Sequence, residues 1–117
     1  MTKDNLEERI RIRSYATGKL PAVVVTLLTD LDMPFSYKLQ DFLIEKIRSM
    51  EPFQELYIDL SNVEYIPSLG VGALSTALVA SMKKNISFYL CNIKPKVRSV
   101  FEMLGLMPYF TEKTPDV

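Results

Sequence analysis

The 117-residue chain contains no histidine and a single cysteine, Cys91. Without imidazole no Ser–His or Cys–His nucleophilic pair can form, nor a zinc site with histidine ligands. One cysteine excludes an internal disulfide framework and a cysteine-rich metal cluster, and it suits a reducing, cytoplasmic setting. Excess charge is absent too, since fourteen Lys and Arg balance fourteen Asp and Glu. A neutral chain has no long-range pull on nucleic acid or anionic lipid, so neither is expected as a partner. The four glycines form no phosphate loop of either standard pattern. Ile66-Pro67-Ser68-Leu69-Gly70 lacks the glycine two residues before serine that a hydrolase elbow needs. The longest low-charge stretch, Leu69 to Met82, falls short of the ~20 residues that span a bilayer. The charged start, Lys3-Asp4-Asn5-Leu6-Glu7-Glu8-Arg9, carries no signal-peptide pattern. No catalytic residue, metal site, cofactor or membrane insertion is expected.

What remains is a composition ordinary for one globular domain, 48% hydrophobic and 24% charged. Arg9 to Arg13 alternates polar and apolar residues, as a half-buried strand does. Ala16 to Pro21 reads as a turn. Ala22 to Leu28 is continuous and β-branched, the pattern of a strand covered on both faces. Phe35, Leu39, Phe42, Leu43, Ile47 and Met50 recur at helical spacing, and Pro34 suits the first turn of that helix. Leu56 to Leu60 reads as a strand. Pro67 breaks the chain, and Ser68 is placed to cap a helix running to about Lys84. Ile86 to Cys91 is the next strand, followed by a helix opened by Pro95 and stopped by Gly105. Tyr109-Phe110-Thr111 suggests a terminal edge strand. The order β β α β α β α, with one further strand, predicts an α/β fold: a mixed four- to five-stranded sheet packed with three or more helices. The domain is expected over 5–113, with 114–117 a frayed tail.

In such sheets function gathers where strands lead into helices. Three loops qualify: Thr29 to Phe35, Ser61 to Ser68, and Asn92 to Pro95. Ser68 precedes a first turn whose free N–H groups and dipole favour an anionic oxygen. That position is open to two readings, a plain N-cap worth about 1 kcal/mol or a phosphate-bearing serine with about −1.5 to −2 charges. Leu69, Gly70, Val71 and Gly72 keep that turn apolar and small, which allows close approach by another protein or simply tight packing. Asp30 and Asp32 read either as acidic switch or metal residues or as turn formers and caps. Cys91 reads as a small buried residue, and Lys94-Pro95-Lys96-Val97-Arg98 as a basic patch.

Tyr57-Ile58-Asp59-Leu60-Ser61-Asn62, followed by Ile66-Pro67-Ser68-Leu69-Gly70-Val71-Gly72-Ala73-Leu74, resembles the central signature of STAS domains, those of sulfate transporters and anti-sigma factor antagonists. Cys91 to Leu106, with its Pro95-Lys96-Val97 and Gly105-Leu106, is similar to the last strand and helix of that family. Leu28-Thr29-Asp30-Leu31-Asp32 is similar to its acidic corner, one residue shorter and without the glycine. The resemblance spans about Arg9 to Thr111. It implies that Ser68 is a phosphoacceptor. It also implies partner switching, with binding to an anti-sigma factor that is itself a serine kinase of the histidine-kinase-like ATPase type. Phosphorylation breaks that complex and a serine phosphatase resets it. The partner surface implied comprises Asp30, Asp32, Ser61, Asn62, Pro67, Ser68, Leu69, Gly70, Val71, Gly72 and Lys94. Two positions depart from the pattern: Pro67 replaces the signature Asp, and Leu69 the second Ser or Thr. The alternative is an unphosphorylated interaction subunit of a lipid-transport ABC complex or a stressosome-like scaffold.

Overall fold

The computed structural model describes residues 6–16 and 20–115. Strand β1 (Ile10–Ala16) pairs antiparallel with β2 (Pro21–Leu27). The intervening turn was expected at Ala16 to Pro21, and its centre, residues 17–19, lies outside the described residues. Helix α1 (Met33–Ser49) then crosses to β3 (Glu55–Asp59), α2 (Ser68–Lys84) to β4 (Ser87–Cys91), and α3 (Pro95–Met103) to the short β5 (Thr111–Glu112). The five strands lie in chain order, and all pairs after the first are parallel. This is the mixed sheet the sequence predicts.

The hydrophobic effect assigns the helices to one face of that sheet. Val23, Val25 and Leu27 of β2, Leu56 and Ile58 of β3, and Phe88 and Leu90 of β4 join a single core with Phe35, Leu39, Leu43 and Ile47 of α1. Val71, Leu74 and Ala77 of α2 and Val97 and Phe101 of α3 complete it. The alternate residues Ala22, Val24, Tyr57 and Cys91 form a smaller cluster on the opposite face, flanked by Tyr15 and Tyr89. β2 is buried from Ala22 onward on both faces, which its unbroken apolar run anticipates.

Three local expectations are revised. The alternation predicts a half-buried β1, but only Ile10 is buried and Ile12 stays 43% exposed, because β1 is an edge strand with a neighbour on one side alone among the described residues. The terminal strand begins at Thr111, since Met107–Tyr109 winds into a 3₁₀ turn that Pro108 favours. Gly105 does take the left-handed conformation past α3, at φ 72°. Ser68 is not the cap of α2: Pro67 holds that place in extended geometry, φ −77° and ψ 163°, and Ser68 is the first helical residue. Proline's fixed φ suits the approach to a helix, but it brings no side-chain acceptor. Thr114 and Pro115, the described part of the expected tail, lie in neither helix nor strand. Among the described residues no helix is long and apolar enough to cross a membrane.

Candidate functional site

Parallel pairing of β2, β3 and β4 brings their carboxyl ends, and so the three candidate loops, to one rim of the sheet. Antiparallel β1 delivers its amino end there as well, and with it Arg9. Polar contacts fasten the loops together. The Asp30 carboxylate accepts the backbone N–H groups of Glu64 at 2.7 Å and Tyr65 at 3.1 Å, tying the first loop to the second. Leu60 N–H donates to the Cys91 carbonyl at 2.9 Å, and Lys94 pairs with Glu64, tying the second loop to the third. Asp32 caps α1 by accepting from Phe35 N–H at 2.8 Å. That bond, with the Arg9 guanidinium 3.4 Å away, holds its carboxyl below the ordinary range. The cap and turn reading of Asp30 and Asp32 is therefore the one that their contacts express.

Sequence reasoning missed two residues that organise this rim. Arg9 donates from Nε to Thr29 Oγ1 and from Nη2 to the Asp30 carbonyl, each at 2.9 Å, while lying 4.2 Å over the Phe35 ring. Its partners are about twenty positions away in sequence, so no local pattern announces them; the alternation Arg9-Ile10-Arg11 marked it only as a strand residue. Asp59 ends β3 half buried. Its carboxylate accepts from Asn92 Nδ2 at 2.9 Å, Ser61 N–H at 3.0 Å and Thr26 Oγ1 at 3.2 Å. Burial acts to raise this carboxyl, but those hydrogen bonds outweigh it and leave it below the ordinary 3.8. Three strand ends are joined through one carboxylate.

The other expected site residues divide by exposure. Ser68 is exposed at the first position of α2, and among the described residues no hydrogen bond engages its hydroxyl. Asn62, in the loop that leads to Ser68, is exposed too, and Ser61, Pro67, Leu69, Gly72 and Lys94 are partly so. Gly70 and Val71 turn inward, contrary to their expected place on a contact surface. Val71 is wholly buried, and a Cβ on Gly70 would lie 2.8 Å from Ile66 Cγ1 and 2.9 Å from Leu31 Cδ2. Helix α2 has to present one face to the core, and those two positions lie on it. A Cβ on Gly72 would meet nothing within 4 Å. Gly72 therefore leaves the backbone approachable from outside, whereas Gly70 lets two loops close over the helix start.

Cys91 is buried in the second cluster, and its thiol is pushed up to about 11 by burial and then by the charges of Asp59 and Glu112. A thiol held protonated in this way is a poor nucleophile. Of the basic patch, Lys94 pairs with Glu64, and Arg98 forks onto both oxygens of Glu112 at 2.8 and 2.7 Å, fastening α3 to β5. These two cations are committed to structure.

The profile of the STAS domain matches residues 5–116. No curated protein matches the chain in sequence. Among solved structures, an anti-sigma factor antagonist from Mycobacterium paratuberculosis is 24% identical, with a TM-score of 0.71 over 92% of this chain and 88% of its own. The anti-sigma factor antagonist SpoIIAA in its unphosphorylated form is 19% identical, with a TM-score of 0.70 over 91% and 90%. The murine anion transporter Slc26a9 is 24% identical over 70% of this chain, which corresponds to only 13% of the transporter, with a TM-score of 0.62. These likenesses establish a shared fold, and the profile covers nearly the whole chain. The chain belongs to the STAS domain family.

Proposed function

We propose that this STAS domain is an anti-sigma factor antagonist whose partner binding is switched by phosphorylation of Ser68. One observation carries the reading: Ser68 stands exposed, with an unengaged hydroxyl, on a rim where three loops are fastened together. A kinase needs a reachable hydroxyl, and a partner needs a surface that does not rearrange. Apolar side chains flank the same rim, with Met33 and Tyr65 each 60% exposed and Tyr37 58%. In the unmodified state they suit a dry protein contact. A phosphate would bring about two negative charges into that contact, at the cost of repulsion and desolvation. The partner is an anti-sigma factor that is itself a serine kinase of the histidine-kinase-like ATPase type, and a serine phosphatase resets the cycle. ATP belongs to the partner; this cytoplasmic chain is ligand and substrate rather than catalyst.

Pro67 favours a second reading. It places a neutral ring where the family signature carries an acid, directly before the acceptor. In that case the rim is a constitutive contact of a transporter complex or scaffold. Incubation with ATP and each histidine-kinase-like ATPase of the source genome, followed by intact-mass measurement, separates the two. The switch predicts one added phosphate on the wild type and none on Ser68→Ala, with partner affinity lowered at least tenfold by Ser68→Asp. An unmodified wild type that binds its ATPase or transporter partner, with affinity indifferent to Ser68→Asp, establishes the constitutive reading instead.

A further inference from the structure

The free edge of β1 belongs to no part of the Ser68 site. Leu28 N–H donates to the Arg9 carbonyl at 2.8 Å, so Arg9 and Leu28 form a hydrogen-bonded pair. The register continues Arg11↔Thr26 and Arg13↔Val24. By the alternation of an antiparallel ladder, the arginine backbones face β2, while the N–H and C=O groups of Ile10, Ile12 and Ser14 point outward. Among the described residues no strand lies beyond β1. Such an edge is a template for another strand unless something blunts it.

The two faces of this edge differ in chemistry. On the helix side, Ile10 and Ile12 line a groove of about 510 Å³ with Leu6, Glu7 and Phe42. On the opposite side Arg11 and Arg13 are exposed with no carboxylate partner among the described residues, the Arg13 guanidinium resting 5.5 Å from the Tyr15 ring centre. A second copy of the chain is disfavoured here. Antiparallel pairing of β1 with itself through the outward groups sets arginine opposite arginine in the full-length register centred on Arg13 and in those centred on Ile12 and Arg11, and like charges directly opposite are destabilising. We propose that the β1 edge receives an extended segment of another protein in which apolar residues alternate with acidic ones. Its backbone continues the sheet, its apolar residues enter the Ile10–Ile12 groove, and its carboxylates meet Arg11 and Arg13.

The probe is a labelled peptide Val-Glu-Val-Glu-Val-Glu-Val, compared with Val-Lys-Val-Lys-Val-Lys-Val and with a peptide of the first composition in blocked order. Anisotropy titration gives affinity, and amide hydrogen exchange gives location. The acidic alternating peptide is expected to bind at least tenfold more tightly than either control and to protect the Ile10, Ile12 and Ser14 amides. The double variant Arg11→Glu/Arg13→Glu, which alters only exposed side chains, should reverse the preference between acidic and basic peptides. Ile12→Pro removes an outward donor without touching a β1–β2 bond, so it should abolish binding. Absence of binding overturns the proposal, as does equal affinity for the three peptides, protection at the Ser68 rim instead, or self-association of the free protein through β1. Ser68→Asp should leave this binding unchanged, so the result stands or falls apart from the phosphorylation reading.

Discussion

Gly70 and Gly72 lie two positions apart in one helical turn, yet their surroundings give them opposite expectations. An alanine at 70 would drive its Cβ against Ile66 and Leu31, both fully buried and with little room to yield. The overpacking should outweigh the helix propensity gained and destabilise the protein by about 1–2 kcal/mol. An alanine at 72 meets open space and should stabilise by about 0.5–1 kcal/mol. Urea denaturation of both variants checks the pair, and a common sign would contradict this account of the helix start. Sequence could not separate them, because the distinction depends on Leu31, brought over α2 by a loop that Asp30 fastens. Ser68 illustrates the same limit. The residue was found, but its place was one position out because proline can hold the capping position with no acceptor to offer.

At the scale of elements, α1 was legible because it reports its burial through spacing, α2 through the break at Pro67 and the low-charge stretch after it, and β2 through its unbroken run. β1 was legible as a strand but not as an edge, since alternation records polarity and not what lies beyond the last strand. The site's tethers were illegible for a related reason: Arg9, Asp59 and Lys94 act on partners in other elements. Another tether of this kind joins the helices. Lys84, near the end of α2, donates to the carbonyls of Ile47 at 3.2 Å and Arg48 at 2.5 Å, where the last turn of α1 exposes acceptors and negative dipole. Lys84→Met keeps the aliphatic stem and loses the donor. It should lower stability by about 0.5–1 kcal/mol, read as a reduced urea midpoint with an unchanged m-value.

For the whole molecule, the absence of histidine predicts the shape of its stability against pH. No side chain has an ordinary pKa between about 5 and 8, so stability should be level across that window. On the acid side, Asp32 and Asp59 titrate below their unfolded value of 3.8. Their contribution is complete above that value and lost as pH falls through the lower folded ones. On the alkaline side, burial raises Cys91 from 9.0 to about 11 and Tyr57 from 10.0 to about 12. The stability they confer is complete below the unfolded values and declines as pH rises toward the folded ones, at most ~1.4 kcal/mol per unit for each group. Urea midpoints that vary between pH 5.5 and 7.5 by more than their scatter would contradict the plateau. The bare start of α2 has a consequence for the proposed switch. The Gly70 and Val71 N–H groups both turn back to the Pro67 carbonyl, and those of Ser68 and Leu69 meet no acceptor among the described residues, which leaves them to solvent or an anion. A phosphate on Ser68 would supply the acceptor that Pro67 lacks. Modification would then knit the domain more tightly while loosening its hold on a partner, and a phosphatase would have to work against that gain. The modified form would persist longer than its exposure alone implies, giving the signal a memory built into the first turn of one helix.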